Sequence, residues 1–251
     1  MPIAQPKDVL DFLKRAHDGL QPLSVRLSFD KTKPQHRELV ALYGSIIELT
    51  GAVMVLVDKR LITGVPVLLR SVLEAYVDLH NLVGTPSYSF VIELAHIDQW
   101  LKILREAKTG KNEYLAAIAG APELDDRIVK WEKRRADLEE KGFRALNIEQ
   151  KFHQAGMDRE YRSQYNQLCC DAHNNLRSLI DRHIQVGEDG LGIVYYKEYA
   201  PADSAVHVGT NAELLVRASQ EVHDFFKSSE ASEIAKYRQE LNALRGETEP
   251  G

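Results

Sequence analysis

The stretch GVPVLLRSVLEAYVDLHNLV, residues 64–83, decides how the rest of the chain is read. Taken as one helix, its Leu68, Leu69, Val72, Leu73, Ala75, Tyr76, Val77, Leu79, Leu82 and Val83 sweep roughly 220° of the circumference, about twice an ordinary surface stripe. A helix that apolar belongs inside a bundle. The remaining arc carries Arg70, Ser71, Glu74, Asp78 and Asn81, so these polar side chains face either a thin strip of water or a cleft.

On either side the pattern stays helical. Upstream, residues 35–61 place Leu39, Leu42, Tyr43, Ile46, Ile47, Val53, Met54 and Leu56 on a second, largely buried helix, and Gly44, Ser45 and Gly51 allow another helix to approach it. An N-terminal helix is expected over 6–18, opened by Pro6 and stopped by Gly19, with 20–34 as a loop. Downstream, Thr85-Pro86-Ser87 starts a helix over 88–108. A charged helix follows Pro122 up to Gly142, with a thin stripe of Leu124, Ile128, Trp131 and Leu138. Its KWEKRR run, 130–135, is flanked by acids and is expected to be a solvated face. A short helix over 147–155 ends at Gly156.

The second organising helix is expected over 161–186. Tyr165, Leu168, Cys169, Ala172, Leu176, Leu179, Ile180 and His183 form its apolar face, and His173 and Arg177 stack four residues apart at the edge. Residues 187–209 change character. The β-branched and aromatic residues around Pro201-Ala202-Asp203 predict a β-hairpin or ordered loop at about 190–208. Helices are expected again from 210 to 226 and from 232 to 245, with 246–251 a disordered tail. The expected fold is therefore all-α: one helical-bundle domain over 1–245 with a small β-hairpin insertion.

Composition limits the function. With 251 residues and 44% hydrophobic content, the chain can bury a proper core. The net charge of −5, from 32 basic and 37 acidic residues, argues against a general polyanion-binding surface while leaving room for a small basic pocket. Cys169 and Cys170 are adjacent in a helical context, which predicts reduced thiols in a cytoplasmic protein. The longest strongly apolar run, 52–57, is too short to cross a bilayer, so a soluble protein with no membrane partner is expected. Broad apolar surfaces and the terminal amphipathic helix predict a homodimer, with a partner protein also open.

Chemistry-bearing patterns are few. Glu93-Leu-Ala-His96 has the i,i+3 spacing of di-iron bundles, but no second Glu-x-x-His occurs; Cys169, Cys170 and His173 lack a fourth zinc ligand. No metal and no cofactor is expected, since glycine-rich phosphate loops, nucleophile elbows and dinucleotide fingerprints are also missing from the sequence. What remains is a bundle that can bring the 161–186 helix against the 64–83 stripe. Arg70, Glu74, His173 and Arg177 would then form one cluster, with Asp78 and Asn174 beside it as substrate-binding groups. Such a cluster serves either catalysis or helix register.

Two resemblances bear on the choice. Arg70-Ser71-x-x-Glu74 inside an apolar helix, followed by Ala155-Gly156, Tyr161, Tyr165, Leu168 and His173, resembles a bacterial helical family of unknown function over roughly residues 40–183. That family commonly has a Ser where this chain has Leu168-Cys169, so no hydroxyl role is expected there. The spacing Arg177-SLID-Arg182-His183 is similar to the Arg-to-His motif of HEPN domains. That resemblance implies RNA or nucleotide handling, possible metal-independent RNA cleavage and a role in bacterial defence. Six residues along a regular helix separate Arg177 from His183 by about 120°, so the better general acid/base is His173, with Arg177 or Arg70 clamping phosphate. The alternative expectation is a noncatalytic helical interaction module whose Arg/Glu/His cluster is structural.

Overall fold

The computed structural model describes residues 5–173, 175–187, 190–197 and 201–246, with the backbone alone over 201–203. They are overwhelmingly helical and divide into two compact units. One unit comprises residues 1–84 and 152–251, the other residues 85–151.

The larger unit is built on helices α1 (Pro6–Ser24), α2 (Pro34–Asp58), α3 (Val65–Gly84), α11 (Pro201–Phe225) and α12 (Ala231–Arg245). As the residue pattern demands, α3 buries most of its circumference: Leu69, Val72, Leu73, Tyr76, Val77, Leu79 and Leu82 are all buried. Its apolar arc is wide because it packs on three helices at once: α2, α11 and the short α9 (Asn166–Ala172). Of these partners, α2 and α9 fall within helices expected beside α3, and α11 does not. The long α11 supplies Leu214, Leu215, Val216, Ala218 and Val222 to the core, where a hairpin over 190–208 followed by a shorter helix was expected. The hairpin lies earlier, with β1 (Ile184–Gly187) antiparallel to β2 (Gly190–Ile193) and Ile184 opposite Ile193.

Two hydrogen bonds join polar side chains inside this core. The Tyr43 hydroxyl donates to Ser219 Oγ at 2.9 Å and Thr50 Oγ1 donates to Asn211 Oδ1 at 2.9 Å, both between α2 and α11. Burial pushes the Tyr43 hydroxyl up to about 12, with the Ser219 bond opposing it. Helix α2 as a whole is long and apolar enough to cross a membrane by length and composition, although its longest uninterrupted apolar run is not; Tyr43, Ile46, Ile47, Thr50 and Val53 are buried in this unit.

Two helix boundaries were misplaced in the sequence reading for physical reasons. Gly19 does not stop α1, which continues through Pro22 to Ser24. A Cβ at Gly19 would fall 1.8 Å from the Tyr237 hydroxyl oxygen, so glycine is there to let the α12 tyrosine approach. The second correction concerns 161–186, which is not one helix. Preceded by α8 (Asp158–Glu160), it is divided into a π turn over Tyr161–Tyr165, α9, α10 (Leu176–His183) and most of β1.

The second unit packs α4 (Tyr88–Lys108) on α6 (Leu124–Glu140), with α5 (Ala116–Ala119) between them in sequence. Leu94, Ile97, Leu101 and Leu104 meet Leu124, Ile128 and Leu138, flanked by Trp100, Trp131 and Phe143. The two arginines of the basic run of α6 are paired from α4: Arg134 holds both Glu93 oxygens at 2.6 and 2.7 Å, and Arg135 holds Asp98 at 2.8 Å. Glu93 is thereby an ion-pair partner, and His96 packs against Trp131.

At the C-terminal end of α11, His223 is fully buried. Its Nδ1 lies 3.0 Å from Ser228 Oγ, and its Nε2 has no hydrogen-bond partner. Burial lowers its pKa below 6.5, against the opposing pull of Glu230 and Asp224. The unfolded chain then takes up this proton more readily than the folded one. The neutral ring's contribution is intact above about pH 6.5 and is lost as pH falls below it. Urea midpoints measured between pH 7.5 and 5.5 are expected to fall, and His223→Gln to flatten that slope. An unchanged slope in the variant would refute the assignment.

Candidate functional site

The site starts from the polar stripe of α3. Arg70 and Glu74 are one helical turn apart, and Arg70 Nε donates to Glu74 Oε1 at 2.9 Å. Opposite them, α9 and the π turn present Tyr165 and His173. Arg70 Nη2 donates to the Tyr165 hydroxyl at 3.1 Å, that hydroxyl donates to Glu74 Oε1 at 2.8 Å, and Arg70 Nη1 lies 2.6 Å from His173 Nε2. Arg70 also stacks over the Tyr165 ring, 5.4 Å from its centroid.

Each position has a local cause. Tyr165 is buried by ring contacts with Phe152 of α7 (Ile148–Gln154) at 5.0 Å and with Tyr161 at 5.6 Å, so its hydroxyl must find polar partners, and α3 supplies them. The π turn inserts one residue's worth of extra rotation and ends at this same tyrosine. His173 is the C-cap of α9, exposed, just where the helix gives way.

The electrostatics follow from this packing. Burial works against the charge on Arg70, but the Tyr165 hydrogen bond and the Glu74 carboxylate outweigh it and raise its pKa. Burial, aided by the bond to Glu74, raises the Tyr165 hydroxyl well above its ordinary value, so it remains a protonated donor. Since a guanidinium has no acceptor, His173 Nε2 must accept from Arg70, which fixes the ring proton on Nδ1. Arg70 uses three of its N–H donors on these partners, and a guanidinium has five. Among the described residues the other two have no hydrogen-bond partner.

The structure therefore brings together Arg70, Glu74 and His173 as expected from sequence and adds Tyr165. Arg177 does not join them. Its side chain is 91% exposed, and it pairs with Asp181 at 3.8 Å. The reason is the break after α9: Asn175 caps α10, its side chain accepting the Arg177 backbone N–H at 3.0 Å, so His173 and Arg177 no longer share a helix. The Asn-Asn pair at 174–175 was the available signal, since asparagine favours helix N-caps over interiors. Leu176 and Ile180, expected on an apolar face, are 72% and 47% exposed. Asp78 is half-buried on the same helix as Arg70, and Asn174 lies outside the described residues. His183 faces the Val194 carbonyl at 3.3 Å and the Tyr195 ring, away from any pairing with Arg177.

Fold and site together define an all-helical protein in which a core helix and a broken helix hold an Arg–Glu–Tyr–His network open to solvent. The chain belongs to the family of unknown function DUF5677, which it matches over residues 36–191, a span that contains all four members of the network. No curated protein and no solved structure matches the chain. These comparisons lend no support to the HEPN likeness.

Proposed function

We propose that the protein handles RNA or nucleotides, and that the Arg70–Glu74–Tyr165–His173 network cleaves phosphodiesters without a metal. The observation that carries this is an exposed imidazole 2.6 Å from a guanidinium that a carboxylate and a tyrosine hold in place. Phosphate binding to the two remaining Arg70 donors draws that side chain toward the anion and releases His173 Nε2. The freed nitrogen takes the proton of a ribose 2′-hydroxyl as its oxygen attacks phosphorus. The imidazolium returns that proton to the departing 5′-oxygen, leaving a 2′,3′-cyclic phosphate, while Arg70 stabilises the charged phosphorane. Glu74 and Tyr165 position Arg70 and do not touch the substrate.

The test is incubation of the purified protein with total RNA in EDTA and analysis of the product ends. Cyclic phosphate ends support the proposal. Intact RNA over a range of protein concentrations would overturn it.

A second reading has its own observation: Arg70 of α3 bonds both Tyr165 and His173, at the two ends of α9, which suits a network that fixes α9 on α3 in a noncatalytic interaction module. On that reading the RNA stays intact while Arg70→Ala lowers the melting temperature.

A further inference from the structure

Two apolar surfaces on one short stretch of the larger unit are left in water. The first is the hairpin. Its register sets Ile184 opposite Ile193 and Val186 opposite Leu191, so these four side chains share one face, while Gln185, Gly187, Gly190 and Gly192 make up the other. Val186, Leu191 and Ile193 are 77, 78 and 73% exposed. A two-stranded hairpin is marginal in water unless a further strand or a helix covers its apolar face. Among the described residues these three side chains have no such cover.

The second surface is the helix that leads into the first. Leu176 and Ile180, four residues apart, form an exposed strip along α10. A helix laid on the hairpin face would cover both surfaces, but α10 ends at His183 and β1 begins at Ile184, with no residue between them. The Val194 N–H also donates to the His183 carbonyl at 2.9 Å, which ties the base of the hairpin to the end of the helix. The hairpin therefore has no loop on which to fold back, and one chain carries both halves of a helix-on-hairpin layer without joining them.

A second copy joins them. In a two-fold contact each surface meets its counterpart in the partner, so two such chains complete the layer twice. Charge does not oppose the approach: the described strand residues carry none, and Arg177 and Asp181, which border the α10 strip, pair with each other at 3.8 Å. Five exposed aliphatic side chains from each copy supply on the order of several hundred Å², much of the roughly 800 Å² per partner that a specific dimer buries.

We propose that the protein forms a two-fold dimer in which the apolar hairpin face of one copy covers the Leu176/Ile180 strip of α10 in the other, and reciprocally. This contact gives the homodimer expected from the sequence a definite surface and does not depend on the function proposed for the Arg70 network.

Sedimentation equilibrium of the whole chain from about 1 to 100 µM is expected to give twice the 28.4 kDa chain mass at the upper end, with a dissociation constant of about 10 µM or tighter. Leu191→Lys and Ile180→Lys place a charge where the single chain is exposed, so each should weaken the dimer about tenfold or more and leave the melting temperature in dilute solution unchanged. In a Cys169→Ser, Cys170→Ser background, a short bis-maleimide added to an equal mixture of Ile180→Cys and Leu191→Cys chains should join unlike chains. A parent that stays monomeric throughout, a dimer that both lysine variants leave intact, or a mixture that yields no unlike-chain product would each overturn the proposal.

Discussion

Replacing His173 by alanine is expected to lower RNA cleavage by about a hundredfold or more while the protein melts within a degree or two of the parent. The two halves of that result have separate causes. Loss of rate follows from removing the group that moves the 2′-hydroxyl proton, a step for which a positioned imidazole supplies about 10²–10⁴ in rate. Stability is spared because the side chain is exposed and contributes one hydrogen bond, to a guanidinium that keeps Glu74 and Tyr165. Parallel RNA cleavage and thermal denaturation assays check both. A folded variant that cleaves like the parent removes His173 from the chemistry, and a large loss of melting temperature moves it into the structural network.

Phe152→Ala is expected to have the largest effect on stability, a loss of roughly 3–5 kcal/mol, corresponding to a fall of about 10 °C for a chain of this size. Phe152 is fully buried, and its ring meets Tyr161 at 5.5 Å and Tyr165 at 5.0 Å. Truncation opens a cavity behind Tyr165, the residue that joins Arg70 to Glu74. Cleavage should therefore decline well below the melting transition. Phe152→Leu, which keeps most of the volume, should cost far less on both measures. Chemical denaturation midpoints together with cleavage at 20 °C would decide it; equal stability of the alanine variant and the parent would refute this account of how the site is supported.

The Arg70 side of the site was legible because one helix carries its whole message. Where an apolar arc is that wide, an arginine and a glutamate one turn apart must either pair or open onto a cleft, and they do pair. The His173 side was legible only in part. Its place beside Arg70 followed from its position at the edge of the apolar face, but its partnership with Arg177 assumed an unbroken helix. Tyr165 was assigned to the apolar face, correctly for its ring and incompletely for its hydroxyl. The basic run on α6 was rightly seen as balanced by acids, although the neutralising carboxylates came from α4 as well as from its own flanks.

By itself, then, the sequence determined that this protein is helical, that residues 64–83 form a core helix, and that Arg70, Glu74 and His173 are the residues from which a site could be made. Periodicity and composition act over a few turns, and those properties are local. Tertiary structure alone decided that α11 fills the core beside α3, that α1 runs past Gly19 to admit Tyr237, and that Tyr165 closes the ring of hydrogen bonds. Each of these depends on which surface lies across a gap of a few ångströms, from residues 91 to more than 200 positions away along the chain. No pattern within one helix records that.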